Sequence, residues 1–143
     1  MAKSATATVD AWVKKSKARM NAIVVGSTED VIGLATRTQA GVDESGGTYK
    51  EGFIPKVTGI LSGSLVSSLN GSVSGEGETE AISFVIGNME AGDEAFFGWA
   101  AEYALAVHYG HGNVGGRLWV DIAAQSWQTI VAANIAAAKA RVR

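Results

Sequence analysis

The sequence predicts an α+β fold: a long N-terminal helix, a small antiparallel sheet with short helices, and a long C-terminal helix packed on the sheet. The chain has 143 residues, 47% of them hydrophobic, which suits one domain around one core. Apolar residues recur at helical spacing towards both ends of the chain. Glycine-rich turns separate short apolar runs between them. We therefore expect residues 1–143 to form a single domain.

Composition excludes several classes of site. The chain has no cysteine, so disulfides, thiolate metal sites and cysteine nucleophiles are all excluded. No run of residues approaches the ~18 apolar residues of a membrane span. The N-terminus lacks the basic start and apolar run of a signal peptide. We expect no membrane partner and a chain that is soluble and intracellular when made.

Charge is distributed unevenly along the chain. Both ends are basic, with Lys3, Lys14, Lys15, Lys17 and Arg19 near the start and Lys139, Arg141 and Arg143 at the finish. Residues 29–102 contain twelve acidic residues and only three basic ones. Solvated helix faces explain this pattern, as does attraction between neighbouring copies or a local DNA contact. The sequence pI near 5.6 does not indicate attraction of the whole protein to nucleic acid.

The first element is an amphipathic helix. Its apolar residues follow a 3.6-residue stripe, at Val9, Trp12, Val13, Met20, Ile23 and Val24. Gly26 to Asp30 interrupt this stripe, and Ser27 or Thr28 is a suitable cap for a continuation. One bent helix and two stacked helices are both compatible with the pattern.

The middle of the chain predicts a loop, a short helix and a hairpin. Residues 38–57 have little periodicity and predict a long flexible loop, a natural place for partner contact. Residues 58–69 place leucines four apart and predict a short helix. The turn signal Asn70-Gly71 then precedes the β-branched run 81–87, which predicts a strand in a hairpin with 65–73. The glycines at 71–77 fit a hairpin tip better than a phosphate loop.

The last third predicts two helices joined by a glycine corner. Residues 94–109 carry aromatic and apolar residues at helical spacing, and Gly110 and Gly112 end that helix. Residues 117–142 keep three- and four-residue apolar spacing throughout and predict one long helix. Arg117 is the only cation between residues 57 and 138, so the nearby aromatics are expected to pack in a core instead of stacking on bases.

His108 and His111 are the residues that first suggest chemistry. With Glu102 and Asp121 in reach, they permit a zinc site or an acid–base pair. The alternative is that they hydrogen-bond within a loop or face a neighbouring subunit. We favour the second interpretation, because a structural zinc site usually has four ligands at stricter spacing. We therefore expect no catalytic residue, no metal and no cofactor.

Three motifs follow one another in a recognisable order. They are Thr58-Gly59-Ile60-Leu61 with Gly63-Ser64-Leu65, then Tyr103-Ala104 with Val107-His108-Tyr109-Gly110, then Arg117-Leu118-Trp119. Their order and spacing over residues 58–120 resemble the tail-completion and tail-terminator proteins at the head–tail neck of long-tailed bacteriophages. The predicted helices on either side suit the same plan.

That resemblance implies a structural virion protein of the neck or tail end, assembled in the host cytoplasm, and not an enzyme. It implies a homo-oligomeric ring, most often a hexamer, that caps the tail tube and joins it to the head, or else a head-side adaptor of the same neck. The partners would be other copies of the chain, the tail tube protein and a head-side connector, with non-specific contact to DNA in the lumen. We expect the loop at residues 110–116 to contact neighbouring subunits.

The residues expected at an oligomer or partner interface form two groups. One surrounds the corner and comprises Tyr103, His108, Tyr109, His111, Arg117 and Trp119. The other is Lys14, Lys15 and Lys17 on the first helix. These lysines either pair with the acidic middle of the next copy or line a lumen through which DNA passes.

Overall fold

The computed structural model describes residues 5–39, 50–56, 58–112 and 114–141. It confirms the α+β class. The first helix, α1, spans Ala5–Ala35, and the last, α5, spans Trp127–Arg141. Between them lie a three-stranded antiparallel sheet and short helices. No helix in these ranges is long and apolar enough to cross a membrane.

α1 is one continuous helix. Gly26, Ser27 and Thr28 do not interrupt it, so the two-helix option is wrong. Ser27 and Thr28 are buried instead of capping a second helix, and the Thr28 hydroxyl donates to the Val24 carbonyl at 2.8 Å. This bond satisfies the hydroxyl inside the helix, as threonine can do in helix interiors.

The segment predicted as a long loop contains two short strands where it is described. β1 (Thr38–Gln39) pairs in parallel with β2 (Ile54–Pro55). Ile54 and Pro55 are both buried, which ties this part of the segment to the core. The rest of the predicted loop, residues 40–49 and 57, lies outside the described residues.

The sheet is built around a central strand where the sequence predicted a helix. Only a 3₁₀ turn, Ser62–Ser64, is helical there. β3 (Leu65–Leu69) follows, paired on one side with β4 (Ser72–Glu76) and on the other with β5 (Ala95–Trp99). Leu65 and Leu69 are buried with Ser67 between them, so the leucine spacing that fits a helix turn here belongs to alternate strand positions.

The hairpin is real, but its second strand is not the predicted one. Asn70 and Gly71 form the turn, with φ of 51° and 82°, and lead into β4. Two positive φ values are what a two-residue hairpin turn requires, and Asn-Gly supplies them at low cost. Residues 81–87, predicted as a strand, lie in α2 (Glu78–Asn88).

α2 packs on the sheet through one side. Ala81 and Val85, four residues apart, are fully buried there, and the Ser67 hydroxyl donates to the Ala81 carbonyl at 2.8 Å. A short apolar run is compatible with either a strand or a buried helix, and the spacing of its apolar residues does not distinguish the two. Packing on β3 and β4 therefore decides the outcome.

The helix predicted over residues 94–109 is also wrong. Its first part is β5, which pairs with β3 from Leu69↔Ala95 to Leu65↔Trp99. Only α3 (Ala104–Tyr109) is helical. The predicted final helix is divided at Ser126 into α4 (Trp119–Gln125) and α5. α5 packs against α1, whereas α2 is the helix that covers the sheet.

Candidate functional site: the glycine corner and its pocket

The corner between α3 and α4 is closed by the chain's own backbone. Gly110 ends α3 with φ of 93°, and β6 (Gly110–His111) pairs with β7 (Val114–Gly115). The returning chain then lies along the end of α3, where the Arg117 N–H donates to the Val107 carbonyl and the Leu118 N–H to the His108 carbonyl. The predicted helix stop at Gly110 is confirmed.

Gly116 makes this close return possible. A Cβ on Gly116 would lie 2.5 Å from the His108 carbonyl oxygen and 2.6 Å from the Tyr109 carbonyl carbon. Both are backbone atoms of α3, which cannot turn aside as a flexible side chain can. Only glycine therefore allows the two backbones to approach this closely.

Arg117 is a core residue, with 1% of its surface exposed. Its guanidinium donates to the Gln39 amide oxygen at 3.2 Å and to the Phe53 carbonyl at 3.5 Å, and its own carbonyl accepts from the Gly52 N–H. One side chain thus joins the corner to the β1–β2 region. The cation in this otherwise apolar stretch therefore has a structural role: its hydrogen bonds hold the corner against the β1–β2 region.

An aromatic cluster lies behind the corner. Trp119 is 2% exposed and meets Trp99 and His108 edge to face, with ring centroids 5.6 and 5.0 Å apart. His108 also contacts Tyr109 edge to face at 4.5 Å. Within the described ranges, the buried indole N–H groups of Trp99 and Trp119 find no acceptor. The cluster is therefore held by ring packing.

The surroundings of His108 favour the neutral form of its imidazole. Its Nε2 accepts a long hydrogen bond of 3.4 Å from the Asp121 N–H and lies 3.7 Å from an Asp121 carboxylate oxygen. Burial lowers the pKa of His108 below its ordinary value of 6.5, and the Asp121 charge only partly opposes that effect. In a neutral imidazole one ring nitrogen accepts a hydrogen bond and the other carries the proton. Because Nε2 accepts here, the proton is on Nδ1.

The His/carboxylate arrangement does not assemble a metal centre from the residues described. Across residues 5–39, 50–56, 58–112 and 114–141, no three histidines, aspartates or glutamates are grouped closely enough to hold a metal ion. His111 is exposed in β6, whereas His108 is buried in the aromatic cluster. The two histidines therefore lie in different environments.

A pocket opens beside His108, with a cavity volume of about 330 Å³. Its walls are mostly aromatic and aliphatic: Trp99, Ala101, Ala104, Leu105, His108, Tyr109, Trp119 and Val120. Its two carboxylates come from Glu102, which is exposed, and Asp121, whose side chain is 48% exposed. Among the described residues, no lysine or arginine lines it. This volume is at the small end of ligand pockets, and its character suits an apolar group that carries a positive charge.

A second exposed surface lies at the N-terminal end of α1. We call residues 5–20 the free half of α1 in the sense that they face solvent: all of them are exposed except Ser16 and Arg19, which are half-buried. Its apolar stripe faces solvent: Val9 is 57% exposed, Trp12 68% and Met20 56%. The stripe predicted to be the buried face of this helix is therefore uncovered over the free half.

The structure separates the predicted interface residues into three sets. Arg117, His108 and Trp119 are buried, Tyr103 is half-buried, and the exposed members are Tyr109, His111, Lys14, Lys15 and Lys17. The buried members shape the corner from within, and their role at an interface stays a prediction. Sequence reasoning placed Trp12 on the apolar stripe of the first helix and assigned no role to Leu105 or Val120, and all three side chains are exposed.

Comparison of the chain with protein-family models, with curated proteins and with solved structures found no match.

Proposed function

We propose that this chain is a virion structural protein of the phage head–tail neck, which forms a ring that completes the tail tube and joins it to the head. The order of the three motifs over residues 58–120 supports the choice of assembly. The residues of the second and third motifs meet at one corner, where Arg117 returns to Val107. The proposed location in the virion follows from the same resemblance.

The observation that carries the proposal of assembly is the free half of α1. An exposed helix with Val9, Trp12 and Met20 on one stripe has apolar area that a monomer leaves in water. Such contiguous apolar surface usually marks a protein interface. A ring of identical subunits covers this surface with copies of the same chain.

The proposed mechanism needs complementary surfaces and no bond chemistry. The ring binds the last layer of the growing tube, stops its polymerisation and presents its other side to the filled head. A ring of six matches what the resemblance implies. Ordering of subunits on the tube end supplies the specificity, since the complete set of contacts is available only there.

Light scattering coupled to size exclusion tests the ring, and electron microscopy with purified tail tubes tests its place. We expect a closed oligomer, six-fold on the tube end, and tubes of uniform length when the protein is present during polymerisation. A strict monomer at high concentration that does not join tubes contradicts the proposal. Binding to filled heads with no binding to tubes indicates the head-side adaptor instead.

A further inference from the structure

The pocket and the free half of α1 lie at opposite ends of the same molecule. Ala35, at the end of α1, shares the core cluster with Trp119 and Ala123, next to the pocket. Further back along α1, Asp30 accepts from the Asn134 side chain of α5 at 2.9 Å. α4 and α5 therefore run antiparallel to α1, and α5, which ends at Arg141, ends opposite about residue 23 because both helices rise by 1.5 Å per residue.

The free half cannot reach the pocket of its own chain. Trp12 lies roughly 35 Å from Ala35 along the helix axis, from the 1.5 Å rise per residue. α1 is continuous over this distance, and the Asn21 side chain anchors its middle by accepting from the Ala91 N–H at 2.9 Å. If the two surfaces meet, they meet between copies.

The two surfaces are complementary in shape and charge. The free half is a protruding helix whose most exposed large hydrophobic side chain is Trp12. Lys15 follows Trp12 by three residues and so lies beside it on the helix surface. The pocket is concave and apolar, and both of its charged groups, Glu102 and Asp121, are acidic. In the described part of the chain, Lys14, Lys15 and Lys17 form no ion pair.

We propose that Trp12 of one copy inserts into the pocket of the next copy, with Lys15 against Glu102 and Asp121 at its mouth. The contact is head-to-tail, because each copy contributes a different surface to each of its two neighbours. Such a contact closes into a ring when the rotation between copies allows it. This inference rests on the proposed function in one respect, that copies of the chain associate. It adds which two surfaces are in contact.

Two variants with opposite defects test the contact in the full chain. Trp12→Ala removes the inserting side chain, and Leu105→Lys places a cation at the mouth of the pocket; Trp12 and Leu105 are 68% and 70% exposed, so both variants should fold. We expect each variant alone to be monomeric by light scattering where the unaltered protein is a ring. Ile60→Ala is the matched control, since Ile60 is 58% exposed and lies outside both surfaces, and it should form rings as before.

A mixture of the two variants gives the decisive reading. Trp12→Ala keeps an intact pocket and Leu105→Lys keeps an intact helix, so the mixture retains one working contact and should form a one-to-one dimer that cannot close. If each variant alone forms rings at the same protein concentrations as the unaltered protein, the inference is overturned and the proposed ring stands. Monomers in the mixture, with each variant shown folded by circular dichroism, also overturn the inference. A monomeric unaltered protein that does not join tail tubes overturns the proposed function itself.

Discussion

At the scale of single residues, Arg117 is a buried cation at the corner. It is 1% exposed and hydrogen-bonded to Gln39 and Phe53. Arg117→Ala should lower the free energy of unfolding by about 3 kcal/mol or more, because it leaves a cavity and unpaired acceptors. Urea denaturation measures the change. Arg141→Ala, at an exposed position, is the control and should stay within about 0.5 kcal/mol, and an equal effect of both variants contradicts the structural role of Arg117.

His108 should make stability depend on pH. Burial lowers its folded-state pKa below 6.5. At pH values between that lowered pKa and 6.5, the unfolded chain therefore binds more protons at this histidine than the folded chain does. Stability is therefore complete above pH 6.5 and declines as the pH falls below that value towards the lowered pKa. Melting temperatures between pH 7 and about pH 5, above the ordinary range of carboxyl groups, measure the decline.

His108→Gln should flatten that decline, because the amide does not titrate and can still accept from the Asp121 N–H. His111→Gln controls for loss of a histidine at an exposed position and should retain the decline. A slope that survives in His108→Gln assigns the titration to another group.

At the scale of elements, helical spacing predicted the ends of the chain better than its middle. α1 and α5 have enough residues for a 3.6-residue pattern to repeat, so both helices could be predicted. Leu65 and Leu69 lie four residues apart in either a helix or a strand, and the choice of strand depends on pairing with β4 and β5. Such pairing joins residues distant in sequence and is not visible in a short window.

The predictions for α2 and β5 were wrong for the same reason: a strand was predicted where α2 lies, and a helix where β5 lies. Residues 81–87 are mostly apolar and include three β-branched residues, yet burial of Ala81 and Val85 against the sheet selects a helix. The aromatic run in β5 has helical spacing, yet it pairs with β3 at every residue. In both segments tertiary contacts outweigh a weak local preference.

At the scale of the whole molecule, the lysines of the free half allow a test of the proposed assembly. Replacing Lys14, Lys15 and Lys17 with Gln should weaken ring formation if they face acids of the next copy, and leave it intact if they only line a DNA lumen. Glutamine has nearly the same helix propensity as lysine, so α1 should persist. We expect a several-fold rise in the concentration needed for half-assembly, measured by light scattering.

Salt provides an independent check on the same lysines. Ion pairs at a partly exposed interface are screened by salt, so the unaltered protein should assemble less well as salt rises, and the triple variant should depend on salt less strongly. Lys56→Gln is the control, because Lys56 is exposed beside β2 and away from the free half. Unchanged assembly of the triple variant removes the pairing role of the lysines and favours the lumen.

The sequence by itself determined the α+β class, the two long helices, the Asn70-Gly71 turn and the stop at Gly110, because each depends on neighbours within a few residues. It also placed Arg117 and the two histidines at one corner. Only the tertiary structure decided that Arg117 and His108 are buried, that β3 is the central strand and that Trp12 is uncovered. Burial depends on which distant segments cover a residue, and α5 ends before the free half of α1 begins.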